Sequence, residues 1–227
     1  MRILAIDTST GACSAAVWNH GNICERLKEM SRGHAEALLP FVLAAMDDAA
    51  TRFDELDLIA VTTGPGAFTG VRIGLAAARG MALAAGVPCL GVTSLEAIAA
   101  AVGPEDAAEG PLLVVIDSKR GDVYAQVFVV GAPAALPFLA DARSIARHLP
   151  EGRVLVAGDA TAAVLPVLNE IGISVRAAAV PGYPTAACIA TLAACRWRNA
   201  TEGAQLMPLP LYLRAPATGP QSKATCR

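Results

Sequence analysis

Apolar positions along the chain come in two patterns: short runs that read as buried strands, and longer stretches at helical spacing. Ile3 to Ile6 is a short apolar run that ends at Asp7. Cys13 to Val17, with Trp18, reads as a second strand. Asn19-His20-Gly21-Asn22 is a hairpin signal, and Ile23 to Met30 a third strand. Ser31-Arg32-Gly33-His34 opens a helix reaching about Ala50, and Pro40 within it predicts a start near Leu39 or a kink there. Leu58 to Val61 is a strand, followed by a glycine-rich loop and a helix to about Ala85. Pro88 to Val92 is a further strand, and Thr93 or Ser94 caps a helix through about Val102. The order is βββαβαβα. The polar, proline-flanked stretch Gly103 to Pro111 is the best domain boundary.

The second half repeats the opening. Leu112 to Asp117 is an apolar strand ending in aspartate, Ser118 to Asp122 a turn, and Val123 to Val130 a strand. A third strand is expected near Pro137 to Leu139. A helix over Ala142 to Leu149, a strand over Arg153 to Ala157, a helix from Thr161 to Ile171, a strand over Ile173 to Ala177 and a helix over Ala186 to Asn199 follow. Both halves therefore begin with a strand ending in Asp, a turn and another strand. This predicts an α/β protein of two related lobes, residues 1–103 and 111–214, with residues 215–227 as a disordered tail.

The stretch Thr62-Thr63-Gly64-Pro65-Gly66-Ala67-Phe68-Thr69-Gly70-Val71-Arg72 joins a strand to a helix N-terminus that Thr69 can cap, where backbone amides can meet an anion. It is not a P-loop, because Val71 and Arg72 follow Gly70 where Lys-Ser or Lys-Thr is needed. Nor is it a dinucleotide fingerprint, since Gly64, Gly66 and Gly70 are spaced one residue too wide. A tight turn with no ligand is the alternative. The following helix carries several smooth or apolar stripes: Gly70, Gly74 and Ala77/Ala78; Val71, Leu75, Ala78 and Ala82; and Arg72, Ala76, Arg79 and Leu83. One sheet needs only one such stripe, so a second packing surface is expected. The helix before it is likewise apolar on two sides, with Leu38, Phe41, Val42, Ala45 and Ala49 on one and Leu39, Leu43 and Met46 on another. Asp7 with Thr8 and Ser9 can offer hydroxyls and amides to a phosphate, or hold a metal or a water; equally, these groups can simply satisfy the turn.

Composition narrows the class. The 227 residues are 54% hydrophobic and 17% charged, so the chain is globular. A net charge of -2 argues against an independent nucleic-acid binder. The six cysteines form no Cys-x-x-Cys and read as reduced thiols. No signal-peptide pattern is evident, and Arg79, Gly86 and Pro88 interrupt the alanine-rich stretch, so no membrane span and a cytoplasmic protein are expected.

Ile-Asp-Thr-Ser-Thr at 6–10, His-Ala-Glu-Ala-Leu-Leu-Pro at 34–40 and Gly-Pro-Gly-Ala-Phe-Thr-Gly-Val-Arg-Ile-Gly-Leu at 64–75 resemble the TsaB (formerly YeaZ) family. So do Ile-Asp-Ser-Lys-Arg-Gly-Asp-Val-Tyr-Ala at 116–125 and Pro-Leu-Tyr-Leu-Arg at 210–214. The resemblance implies an actin-like, hsp70-like ATPase (ASKHA) fold with duplicated βββαβα lobes. It implies a non-catalytic scaffold in the bacterial complex that forms N6-threonylcarbamoyladenosine at position 37 of tRNAs reading ANN codons. There the family pairs with a catalytic paralogue, TsaD, and through the complex meets a TsaE-like ATPase and tRNA; alone, a homodimer is expected.

In that catalytic relative a His-Leu-Glu-Gly-His segment holds the metal from one helix face. Ser94 and Ile98 stand at the two ligand positions here, and isoleucine has no lone pair to give. The resemblance therefore implies neither a metal nor a cofactor. It implies a partner interface on Leu39, Leu43, Met46, Val71, Leu75, Ala78 and Ala82, with Arg72 and Arg79 at the rim. It leaves a vestigial nucleotide site at Asp7, Thr8, Ser9, Gly64, Gly66, Asp117 and Gly158, with Asp159 placed to repel phosphate. A stand-alone nucleotide-dependent phosphotransferase using Asp7 or Asp117 is the alternative. A peptidase is a third reading, and no His-Glu-x-x-His supports it.

Overall fold

The computed structural model describes residues 1–129, 131–199 and 207–214; the segment expected as a tail, 215–227, lies outside them. The first lobe holds β1 (Arg2–Asp7), β2 (Ala12–Asn19), β3 (Asn22–Glu29), α1 (His34–Asp48), β4 (Leu58–Thr62), α2 (Phe68–Ala85), β5 (Cys89–Val92) and α3 (Ser94–Ala99). A short helix α4 (Pro104–Ala108) lies in the stretch expected to be a plain linker. The second half holds β6 (Leu112–Asp117), β7 (Val123–Val129), β8 (Ala132–Pro133), β9 (Phe138–Ala140), β10 (Val154–Ala157), α5 (Thr161–Glu170), β11 (Val175–Ala177) and α6 (Ala186–Asn199).

Both sheets have one topology. The first runs β3-β2-β1-β4-β5, and the second β11-β10-β6-β7-β8 with β9 also on β7. In each the opening strand is central, antiparallel to its successor and parallel to the strand that follows the first crossover. The central strands are buried on both faces, which is why they read as continuous apolar runs. On the first sheet, Leu4, Ile6, Val17, Ile59 and Val61 face α1 and α2, while Ile3, Ala5, Ala16, Leu58 and Ala60 face the other way.

The helices covering the remaining faces are exchanged between the halves. α6 packs Ala186, Ile189, Ala190, Ala193 and Ala194 on the first sheet, although its sequence position placed it in the second lobe. α3, from the first half, puts Leu95, Ile98 and Ala99 against Leu112, Val114, Ile116 and Phe128 of the second sheet. Small alanines let α6 approach the strands closely, and the Ser14 hydroxyl accepts the Ala186 amide at 3.0 Å.

Three local expectations are revised. α1 runs unbroken through Pro40; proline removes the bond to the Glu36 carbonyl, but both residues are exposed, so water can take its place. The helix expected over 142–149 is a 3-10 turn, Ser144–His148, started by Asp141 accepting from the Arg143 and Ser144 amides. Thr69 does not cap α2; the N-cap is Ala67, with no side-chain cap.

Candidate functional site

Two features border α2: an interlobe cleft at its N-terminus and an exposed face along its length. The cleft has a volume of about 1250 Å³ and is lined by Thr8, Thr10, His34, Gly66, Phe68, Arg72, Asp117, Lys119, Asp159 and Tyr212, among others. It lies between the turn after β1 and the turn after β6, so the two strand-ending aspartates occupy equivalent places in the duplicated plan. Each accepts the amide two residues on: Ser9 N to Asp7 Oδ1 at 3.1 Å, and Lys119 N to Asp117 Oδ1 at 2.6 Å.

Their environments have diverged. Asp7 is fully buried. Its Oδ1 also accepts from Ser9 Oγ at 2.7 Å and Thr62 Oγ1 at 2.5 Å, while Oδ2 has no partner among the described residues. Burial pushes its carboxyl up to about 6, against the opposing hydrogen bonds from Thr62 and Ser9 and the charge of His34. Asp117 is also raised by burial, but hydrogen bonds from the Lys119 side chain and amide outweigh this, and its carboxyl lies below the ordinary value. Lys119 Nζ pairs with Asp117 Oδ2 at 2.9 Å.

The glycines named for a nucleotide are explained within the protein. A Cβ on Gly66 would stand 2.2 Å from the Ser9 carbonyl oxygen, and one on Gly70 2.1 Å from that of Thr8. The start of α2 thus lies flat on the Thr8–Thr10 turn. Ala67 N donates to the Ser9 carbonyl at 2.8 Å and Thr8 Oγ1 to the Gly70 carbonyl at 2.7 Å. Gly158 packs in the same way on the Val115 carbonyl, and Gly64 on Leu211. Of the expected nucleotide residues, Thr8, Gly66 and Asp117 reach the cleft; Asp7, Ser9, Gly64 and Gly158 do not line it. Asp159 does, accepting the Asp117 amide at 2.8 Å.

The positions of the two missing metal ligands are occupied by other interactions. Ile98 is wholly buried in the apolar layer between α3 and the second sheet. Ser94 is wholly buried, and its Oγ donates to Ser9 Oγ at 2.9 Å. These residues do not fit a metal. Among the described residues no three His, Cys, Asp or Glu side chains converge as a metal site, and no helix is long and apolar enough to cross a membrane.

Along α1 and α2 the two apolar stripes have separated. Met46, Val71, Leu75, Ala78 and Ala82, expected at a partner interface, are buried against the first sheet and offer no free surface. The Val71, Leu75, Ala78 and Ala82 stripe of α2, with Gly70 and Gly74, won the core and the Arg72, Ala76, Arg79 and Leu83 stripe was left outside, a choice that periodicity alone does not make. Leu39 and Leu43 are 56% and 58% exposed. Leu39 lines, with Ile73, Ala76, Ala77, Gly80 and Met81, a groove of about 350 Å³ between α1 and the ridge of α2, and Leu43 lies one turn farther along α1. Leu83, 79% exposed, continues the ridge. The stripe of Arg72, Ala76, Arg79 and Leu83 was the signal in the sequence for this face.

Two lobes of the same 3-2-1-4-5 plan, joined by exchanged helices and facing each other across a cleft with an aspartate at each first-strand end, define the actin-like, hsp70-like ATPase fold. The ROK hexokinase of Thermus thermophilus shares the fold alone, with a TM-score of 0.53 and 13% identity over 88% of this chain and 100% of that one. Residues 28–186 match the family model described as "TsaD: tRNA N6-adenosine threonylcarbamoyltransferase". YeaZ from Pseudomonas aeruginosa superposes with a TM-score of 0.80 at 28% identity, covering 93% of this chain and 99% of that one. The tRNA threonylcarbamoyladenosine biosynthesis protein TsaB of Escherichia coli is 40% identical over 124 residues, 55% of this chain and 53% of that protein. Within the family that the model describes, the chain belongs to the TsaB (YeaZ) branch. It spans about half the length of the curated TsaB relatives it matches.

Proposed function

We propose that the chain is a non-catalytic scaffold of the complex that forms N6-threonylcarbamoyladenosine at position 37 of tRNAs reading ANN codons, docking on a TsaD-like catalytic paralogue through the α1–α2 face. The observation that carries this reading is that face: Leu39 stands exposed at a groove lined by Ala76, Ala77 and Gly80, with Leu43 and Leu83 exposed one turn farther along α1 and α2. Contiguous apolar surface on a soluble domain marks a contact site, and small residues at its centre admit a helix at close range. The same face, presented to a second copy, would close a two-fold homodimer in the absence of the paralogue. A TsaE-like ATPase and tRNA are reached through the complex.

The non-catalytic part of the reading is supported by Ser94 and Ile98, which are held by Ser9 and the interlobe core. A phosphotransferase would need a free acid on the cleft; Asp7 is walled off and Asp117 is paired with Lys119. The test is affinity for the co-expressed TsaD-like subunit by titration calorimetry, with circular dichroism as a folding control. Leu43→Glu and Ala76→Arg each place a charge on the exposed face without entering the core. Each should weaken binding by roughly a hundredfold or more, as for central interface positions. Wild-type affinity in both folded variants would overturn the scaffold reading.

A further inference from the structure

The segment after the described end of α6 returns to α2 and runs along the flank opposite α1. Pro208 is buried, stacked on Gly91 and Thr63, and its carbonyl accepts from Arg79 Nη2. Leu211 N donates to the Thr63 carbonyl at 2.8 Å. The Tyr212 hydroxyl accepts from Arg72 Nε at 2.9 Å, and its ring lies 5.4 Å from that of Phe68. Arg214 pairs with Asp122 in the second half. Residue 208 therefore meets 79 and residue 212 meets 72, so the strap is antiparallel to α2. Seven helical residues advance about 10 Å and four extended residues at most about 14 Å, so the two run nearly in step.

The strap is held by backbone, proline and Tyr212 contacts, yet the Leu209 side chain is left in water. Leu209 is 74% exposed, Tyr212 39% and neighbouring Phe68 43%. Ordering an extended segment costs conformational entropy, and holding Leu209 in water returns nothing for that residue in the free chain. The fixed strap is instead a pre-organised edge, whose ordering need not be repeated on binding. Arg72 completes the cluster, its guanidinium 3.6 Å over the Phe68 ring. Among the described residues no carboxylate pairs with Arg72. An arginine between two aromatic rings at the edge of an apolar face has the composition of a binding hot spot.

We propose that the strap is a third rail of the docking surface, flanking α2 opposite α1, and that the docked paralogue covers Leu209 and Tyr212 and sets a carboxylate against Arg72. This rests on the scaffold reading above, because the strap is continuous with the α2 ridge through Arg72 and Leu83. It adds a site on the far side of α2 that the α1–α2 groove does not include.

The experiment measures affinity of full-length variants for the TsaD-like subunit at two salt concentrations, with circular dichroism throughout. Leu209→Glu should bind about tenfold or more weakly while staying folded, since the side chain it replaces touches little. Arg72→Met keeps the apolar stem over Phe68 but removes the charge. It should bind more weakly and lose most of the salt dependence seen with the wild type. If Leu209→Glu and Arg72→Met bind like wild type while Leu43→Glu does not, the strap proposal is overturned and the scaffold reading stands. If Leu43→Glu also binds like wild type, the scaffold reading itself has failed.

Discussion

Replacing Asp7 by asparagine should stabilise the protein at neutral pH, although Asp7 accepts hydrogen bonds from the Ser9 amide, the Ser9 hydroxyl and the Thr62 hydroxyl. The wild-type carboxyl is fully buried and raised from 3.8 to about 6. In the unfolded chain it releases its proton near pH 4, and in the folded chain only near pH 6. Between those values the folded state holds more protons, so stability falls as pH rises. A shift of about 2 corresponds to a loss of about 3 kcal/mol, fully developed above pH 6. Asparagine keeps the acceptor that serves Ser9 and Thr62 but places an amide where Oδ2 has no partner, a cost of about 1–2 kcal/mol. The net expectation at pH 7 is a gain of about 1–2 kcal/mol over wild type. At pH 4 the wild-type carboxyl is itself mostly neutral, most of its penalty is gone, and the asparagine variant should be the less stable chain by about 1 kcal/mol. Urea unfolding followed by circular dichroism from pH 4 to 7 gives both curves, and their difference cancels every other titrating group. Parallel curves, or an asparagine variant less stable at pH 7 than at pH 4 relative to wild type, would refute the assignment of a raised, uncompensated carboxyl.

Three further outcomes follow from the geometry. Gly70→Ala drives a Cβ into the Thr8 carbonyl and should destabilise by about 3 kcal/mol or more. Gly80→Ala, with nothing within 4 Å, should stabilise α2 by about 1 kcal/mol and weaken paralogue binding; urea midpoints and calorimetry check both. The isolated chain should retain less than one equivalent of zinc or iron after dialysis, by elemental analysis, because Ser94 is bound to Ser9 and Ile98 is in the interlobe core. Stoichiometric metal would refute that.

The succession of strands and helices, the duplication and the two aspartate turns were legible because buried central strands announce themselves as apolar runs that end at polar turns. The partner face was legible only in part. Leu39 and Leu43 stood apart from Leu38 and Val42 by helical phase, but α2 offers apolar or small residues nearly all round. Whether Val71 or Ala76 meets the sheet depends on which volume fills the space above Val61 and Leu4, a tertiary fact. Gly66 and Gly70 suggested a ligand loop because glycine marks any close approach; the approaching group is the chain's own Thr8–Ser9 backbone. α6 carried no mark of the lobe it serves, since an alanine-rich stripe fits either sheet. The strap was visible only as Pro-Leu-Tyr-Leu-Arg, with no periodicity to place it.

The exchange of α3 and α6 also sets the order in which the molecule can be made. β1 begins at Arg2, but the helix that covers Ile3, Ala5, Leu58 and Ala60 lies at residues 186–199. On the ribosome the first sheet is complete when β5 emerges, with one apolar face still bare. That face stays bare until α6, residues 186–199, has been synthesised. A nascent chain in that condition is a substrate for chaperones and for misassembly. Neither lobe, cut out at the Gly103–Pro111 stretch, would carry the helix that seals it.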